Sequence, residues 1–218
     1  MRKKIEIEQI RPMDIEKRSF EIISEELGER EKLLKPGTEL IVKRCIHTSA
    51  DFDYAENLYF SEGCVEQALA AIREGASIVT DTQMARSGIN KNVLKRYGGE
   101  VLCFMSDKDV AEEAKRRGVT RAVVSMEKAA SLNRPLIFAI GNAPTALIHL
   151  SQLIDEKRID PRLVIGVPVG FVNVVASKEL IIDTGVPCIV ARGRKGGSNI
   201  AACICNALLY MLTDNRGY

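Results

Sequence analysis

Leu136-Ile137-Phe138-Ala139-Ile140-Gly141-Asn142-Ala143-Pro144-Thr145-Ala146-Leu147-Ile148-His149-Leu150 decides the fold. Its first five residues are all apolar and read as a buried strand; Gly141-Asn142 breaks the run and offers a cap, and Pro144 suits the first turn of a helix. Leu147, Leu150, Leu153 and Ile154 then recur at helical spacing. The stretch is a strand-to-helix crossover, the unit that joins parallel strands.

Outward from this stretch the same alternation repeats. Short apolar runs predict strands over 40–46, 77–80, 101–105, 136–140, 163–167 and 188–191. Between them Val65, Leu69 and Ile72 mark a helix that Gly75 ends, and Asp107 opens another carrying Val110, Ala111 and Ala114 as far as Gly118. A charged amino-terminal helix is expected over 13–27, and the tail 213–218 is expected to fray. The last helix, 198–212, is apolar nearly all round, so it is buried either centrally or against another subunit. The expected fold is α/β: one domain over residues 1–218, with a doubly wound, largely parallel sheet and helices on both faces.

Composition narrows the function classes. With 218 residues and 46% hydrophobic content the chain can bury one sizeable core. Its 31 Lys plus Arg against 29 Asp plus Glu argue against wholesale nucleic-acid binding, so an anionic partner has to be met locally. No apolar run approaches the roughly 20 residues that span a bilayer, and Met1-Arg2-Lys3-Lys4-Ile5-Glu6 lacks the apolar core of a signal peptide. A cytoplasmic protein with no membrane partner is expected. Cysteines 45, 64, 103, 188, 203 and 205 lie in apolar surroundings without a Cys-x-x-Cys pair, which fits reduced, buried thiols rather than a disulfide framework or a zinc site.

The chain has two histidines. His149 shares a helix face with Thr145, Gln152 and Glu156, which predicts a solvated surface residue. His47 ends the apolar 40–46 run and is followed by Thr48, Ser49, Asp51 and Asp53, a polar mouth expected at the carboxyl end of a strand. Imidazole ordinarily titrates near neutrality and can both give and take a proton. Asp81, Asn142, Pro168 and the loop after Ala191 fall at the same end of the predicted sheet, where open α/β sheets bind ligands. The loop Arg192-Gly193-Arg194-Lys195-Gly196-Gly197-Ser198 combines glycines, three cations and a helix start, and suits a carboxylate or phosphate; a glycine turn beside a solvated basic cluster explains these residues equally well. A second loop, Gly166-Val167-Pro168-Val169-Gly170-Phe171-Val172, is almost wholly apolar and is suited to tight packing or to approach by a flat, greasy group.

Four motifs in order, Lys43-Arg44-Cys45-Ile46-His47-Thr48 with Asp51-Phe52-Asp53, Gly141-Asn142-Ala143-Pro144-Thr145-Ala146-Leu147, Val164 to Val172 with Ser177-Lys178, and Gly193-Arg194-Lys195-Gly196-Gly197-Ser198, closely resemble the precorrin-8X methylmutase family. The likeness runs from Arg18-Ser19-Phe20 to the final helix. It implies a homodimeric isomerase of cobalamin biosynthesis that moves a methyl group between adjacent carbons, C-11 to C-12, of a corrinoid precursor by a 1,5-sigmatropic shift, with no redox or group-transfer cofactor. By motif position His47 matches the family's proton donor, while Ser19, Arg121 and Lys178 match positions facing the macrocycle or its acid side chains. Asn90 stands where related sequences can carry threonine. Arg192, Arg194 and Lys195 are expected to add charge-assisted bonds to the substrate's carboxylates. Asp51-Phe52-Asp53-Tyr54 looks more like members acting on cobalt-containing substrate; any cobalt then belongs to the macrocycle.

Two rival readings follow from the same residues. His47 with Asp51, Asp53 and Asp81 would suit a divalent metal in a hydrolase, and a corrinoid carrier would share the pocket without altering the pigment.

Overall fold

Residues that alternate in pointing direction along the strands divide the interior into two apolar layers. Ile78, Ile137, Ala139, Leu163, Ile165, Ile189 and Ala191 enter one core, while Val79, Leu136, Phe138, Ile140, Val164, Cys188 and Val190 enter the other. A sheet apolar on both faces has to be covered on both, and the computed structural model, which describes residues 8–213, shows helices on each side.

In chain order the elements are α1 (Ile15–Leu27), α2 (Glu39–Ser49), α3 (Tyr54–Asn57), β1 (Leu58–Phe60), α4 (Cys64–Arg73), β2 (Ser77–Thr80), α5 (Gln83–Gly88), α6 (Lys91–Arg96), β3 (Val101–Leu102), α7 (Lys108–Arg117), α8 (Arg121–Ala130), β4 (Leu136–Ile140), α9 (Pro144–Asp155), β5 (Leu163–Gly166), α10 (Val174–Asp183), β6 (Cys188–Ala191) and α11 (Ser198–Met211). The six strands run in the order β1-β6-β5-β4-β2-β3, parallel except for the antiparallel β1–β6 pair, which aligns Leu58 with Ala191 and Phe60 with Ile189. The alternating α/β reading and the doubly wound, largely parallel sheet are thus observed. The tail expected to fray lies, beyond Thr213, outside the described residues. No described helix is long and apolar enough to cross a membrane.

Three expectations are corrected. The run 40–46 is not a strand but the middle of α2. Its buried residues Ile41, Val42, Cys45 and Ile46 fall at i, i+1, i+4 and i+5, which is one face of a helix; the β-branched Ile41, Val42 and Ile46 masked this spacing. The antiparallel edge strand β1 lies where none was expected, and at three residues it is too short to carry a periodic signal. The 101–105 run shortens to the two residues of β3.

Helix α11 is buried centrally. It contacts β4 and β5 on one side and α2 on the other, with α4 and α5 beside it, so Ile200, Ile204 and Leu208 are each about 1% exposed or less. Its all-round apolar character is therefore explained within one chain and says nothing of a second subunit. Each such fully buried side chain contributes roughly 1.5–3 kcal/mol. Because α11 holds α2 in place, the outer α1–α2 layer that carries His47 is fixed relative to the sheet.

At the crossover, the cap expected from the segment itself comes instead from Asp81. Its carboxylate, 1% exposed, accepts the N–H groups of Gly141 at 2.9 Å, Asn142 at 2.8 Å and Ala143 at 2.6 Å, the open donors ahead of α9. Burial raises its pKa, and those three bonds oppose the rise. Gly141 is required there, since a Cβ would lie 2.7 Å from the Gly197 carbonyl oxygen.

Candidate active site

His47 lies in the last turn of α2 and is exposed. Its ring rests 5.7 Å from that of Phe20 on α1, tilted by 49°. Ser19, the neighbour of Phe20, donates its hydroxyl to Ile15 O within α1. The helix ends at Ala50, which takes a left-handed conformation with its N–H 2.7 Å from Ile46 O. Ser49 ties off the turn: its hydroxyl donates to Cys45 O at 2.7 Å and accepts the Asp51 N–H at 3.2 Å. His47 is thus at a helix carboxyl terminus and not, as expected, at that of a strand.

Beyond the turn, Lys195 reaches from the Gly193–Gly197 loop to both carboxylates, 2.7 Å from Asp51 Oδ2 and 2.5 Å from Asp53 Oδ2. This pairing lowers the Asp51 pKa and raises that of Lys195. Lys195, expected to bond the substrate's carboxylates, is engaged here by two carboxylates of the chain itself. The hydrolase reading loses its ligands in the same step, because an ammonium sits where the divalent ion would be and Asp81 is committed to main-chain N–H groups.

Lys178, which the resemblance implies faces the macrocycle or its acid side chains, lies inside the chain in this structure. It is fully buried on α10 and donates to Gly193 O and Lys195 O, both at 2.8 Å, and burial pushes its pKa down to about 8. The exposed cations of the loop are Arg192, stacked 4.9 Å over Tyr59 with Glu179 3.4 Å away, and Arg194, 5.4 Å over Phe171. Val169, Phe171 and Val172 are exposed, so the apolar loop forms a greasy lip beside the Arg194 guanidinium.

Arg121 lies elsewhere, while Asn90 sits beside α11. Asn90 caps α6 by accepting the Val93 N–H at 3.2 Å, and its own N–H bonds Asn206 Oδ1 on α11 at 2.8 Å. Arg121 is exposed at the start of α8, which packs with α7 and α9. The α8–α9 core and the α2–α11 core belong to opposite faces of the sheet, so Arg121 and His47 stand on elements of different layers. Among the described residues no ion pair engages Arg121 or Arg194.

His149 departs from its expected solvated state. It is half-buried, with Nε2 3.0 Å from Glu127 Oε1 and Nδ1 3.0 Å from Gln152 Oε1. Glu127 is itself ion-paired with Arg117, so His149 is a structural linker between α8 and α9.

Nothing in the sequence signals a cleft of about 440 Å³ beside Thr48, which Arg44, Met84, Asn199, Cys203, Asn206 and Tyr210 line. Arg44 is held between the rings of Phe20 at 5.5 Å and Tyr210 at 4.6 Å and pairs with Glu16 at 2.9 Å, while its buried Nε has no hydrogen-bond partner among the described residues. The i, i+3 spacing of Arg44 and His47 was the available signal for placing both on one face, had 40–46 been read as helical. Cys203 accepts the Thr48 hydroxyl at 3.2 Å; all six cysteines are free and five are buried.

An exposed imidazole, a basic glycine loop and an apolar lip thus lie on one doubly wound α/β frame. The sequence matches the precorrin-8X methylmutase family over residues 14–211. It is 46% identical over 212 residues to the cobalt-precorrin-8 methylmutase of Priestia megaterium, covering 96% of this chain and 92% of that protein. It is 44% identical over 207 residues to that of Salmonella typhimurium, covering 93% and 97%. The crystal structure of the precorrin-8X methylmutase from Thermus thermophilus superposes with a TM-score of 0.81 at 35% identity, covering 91% of this chain and 96% of that one. The chain belongs to the precorrin-8X methylmutase family and is an isomerase.

Proposed function

We propose that this chain converts precorrin-8, in its cobalt-containing form, by moving one methyl group from C-11 to C-12 of the macrocycle, with His47 as the proton donor. The observation that carries this reading is the placement of His47: an exposed imidazole, braced by Phe20, on a helix end anchored through Asp51 and Asp53 to the basic loop. A proton delivered to the conjugated ring draws electron density toward it and eases migration of the methyl group to the adjacent carbon. The proton then returns to the same imidazole, so the reaction is a net isomerisation and consumes nothing. No separate cofactor enters this scheme, and cobalt is carried by the substrate. The cobalt preference is supported by the names of the relatives at 46% and 44% identity, cobalt-precorrin-8 methylmutases.

Arg192 and Arg194 supply charge for the substrate's carboxylates, and the lip of Val169, Phe171 and Val172 lies against its apolar face. Arg121 belongs to the same binding surface only in a homodimer, where one copy presents His47 and the other Arg121. Its separation from His47 in the layers of one chain favours this arrangement. The test is the visible spectrum of the protein incubated with cobalt-precorrin-8: a shift in ring conjugation with time supports an isomerase, and tight binding with no spectral change supports a carrier.

A further inference from the structure

We propose that Lys178 is a positioning residue for His47, acting through the Gly193–Gly197 loop and the Lys195–Asp51–Asp53 cluster rather than by touching the substrate. The proposal deepens the reading of His47 given above and rests on it.

The argument begins with where Lys178 can reach. Its side chain is fully buried, and its ammonium is spent on two main-chain carbonyls of one loop, Gly193 O and Lys195 O, each at 2.8 Å. The loop would have to open before a ligand could meet that ammonium. A buried cation is expensive to keep, and an apolar side chain of the same length would fill the space without desolvating a charge. Such a replacement would, however, leave both carbonyls without a donor. The chemistry retained at this position is therefore that of a clamp on the loop.

The clamp completes a loop already tied at its flanks. Gly197 donates to Val167 O at 2.8 Å, and Arg194 O accepts the Gly170 N–H at 3.2 Å. With the Lys195 carbonyl drawn onto Lys178, the Lys195 side chain extends to Asp51 at 2.7 Å and Asp53 at 2.5 Å. Asp53 N–H bonds Asp51 Oδ1 at 3.1 Å, and Asp51 N–H bonds the Ser49 hydroxyl, which in turn bonds Cys45 O in the turn that presents His47. A continuous line of bonded groups thus runs from buried Lys178 on α10 to the last turn of α2. No other described lysine makes two such main-chain bonds.

The test uses the fact that the chain has two histidines, so the imidazole signals in a proton NMR spectrum are assignable with a His149→Gln variant. In Lys178→Met the proposal expects the His47 ring signals to shift or broaden, those of His149 to stay, and kcat to fall about tenfold with KM nearly unchanged, the signature of a misaligned reacting group. Lys195→Met, a change at a half-exposed side chain, should reproduce both effects and serves if Lys178→Met does not fold. The double variant should be no slower than the slower single one. Unmoved His47 signals in either single variant, or a raised KM at constant kcat in Lys178→Met, would overturn the proposal. If His47 signals moved while both these variants and His47→Ala kept the parent rate, the reading of His47 would fail and the mechanical link would stand.

Discussion

The rings of Phe20 and His47 lie 5.7 Å apart, joining α1 to the last turn of α2. Phe20 is 7% exposed, and the Arg44 guanidinium lies 5.5 Å from the centre of its ring. Replacing Phe20 with alanine should cost about 3 kcal/mol of stability, the lower end for emptying a buried phenylalanine site. Turnover should also fall, but less than on loss of the imidazole itself. Urea unfolding and the rate of spectral conversion measure the two effects; full stability in Phe20→Ala would mean that α1 does not brace His47.

Asp81 should prove structural. In Asp81→Asn one acceptor oxygen becomes an amide donor facing N–H groups, which should cost on the order of 2 kcal/mol, because buried donors are left unpaired. At a temperature where the variant stays folded its rate should match the parent. A large loss of rate in a fully stable variant would place Asp81 in the chemistry instead.

These two residues show where sequence reading reaches its limit. The strands β2, β4 and β6 were legible to the residue, because strands buried on both faces are written as continuous apolar runs. The helix α2 was not, because β-branched Ile41, Val42 and Ile46 in a short window fit a strand as well as a helix face. His47 and the basic loop were legible as polar residues in an apolar context. The partners of Asp81, Lys178 and Lys195 were not, since those of Asp81 and Lys195 are far away in the chain, those of Lys178 are main-chain carbonyls of a loop beyond the next strand, and an ammonium looks the same in sequence whether it is solvated or buried.

Lys178 makes stability depend on alkaline pH in a definite direction. Its pKa in the folded protein, about 8, is below the roughly 10.4 of a solvated lysine, so between these values the unfolded chain binds more protons and stability rises with pH. Below pH 8 both states are protonated and no gain is present. Relative to Lys178→Met, the parent should gain up to on the order of 3 kcal/mol between pH 8 and 10.5. Unfolding curves of the two proteins at pH 7.5 and 10 check this; a constant difference between them would contradict it.

Arg121 and His47 should act from different copies of the chain. Light scattering should report twice the 24.1 kDa chain mass. Arg121→Glu should weaken substrate binding about tenfold or more, as expected for loss of a charge-assisted bond. Mixed with His47→Ala, it should regain part of the activity, because one site of each mixed dimer then holds both native residues. An active monomer, or no recovery on mixing, would remove this arrangement.

The most direct measurement is the rate of spectral conversion of cobalt-precorrin-8 at saturating concentration by His47→Ala, with bound pigment quantified in the same sample. As an exposed side chain, His47 can be truncated without opening the core, so the variant should fold and bind the pigment. If His47 is the proton donor, conversion should slow by roughly 100-fold or more, the lower range for general acid catalysis. Conversion at the parent rate by a variant that binds normally would contradict it.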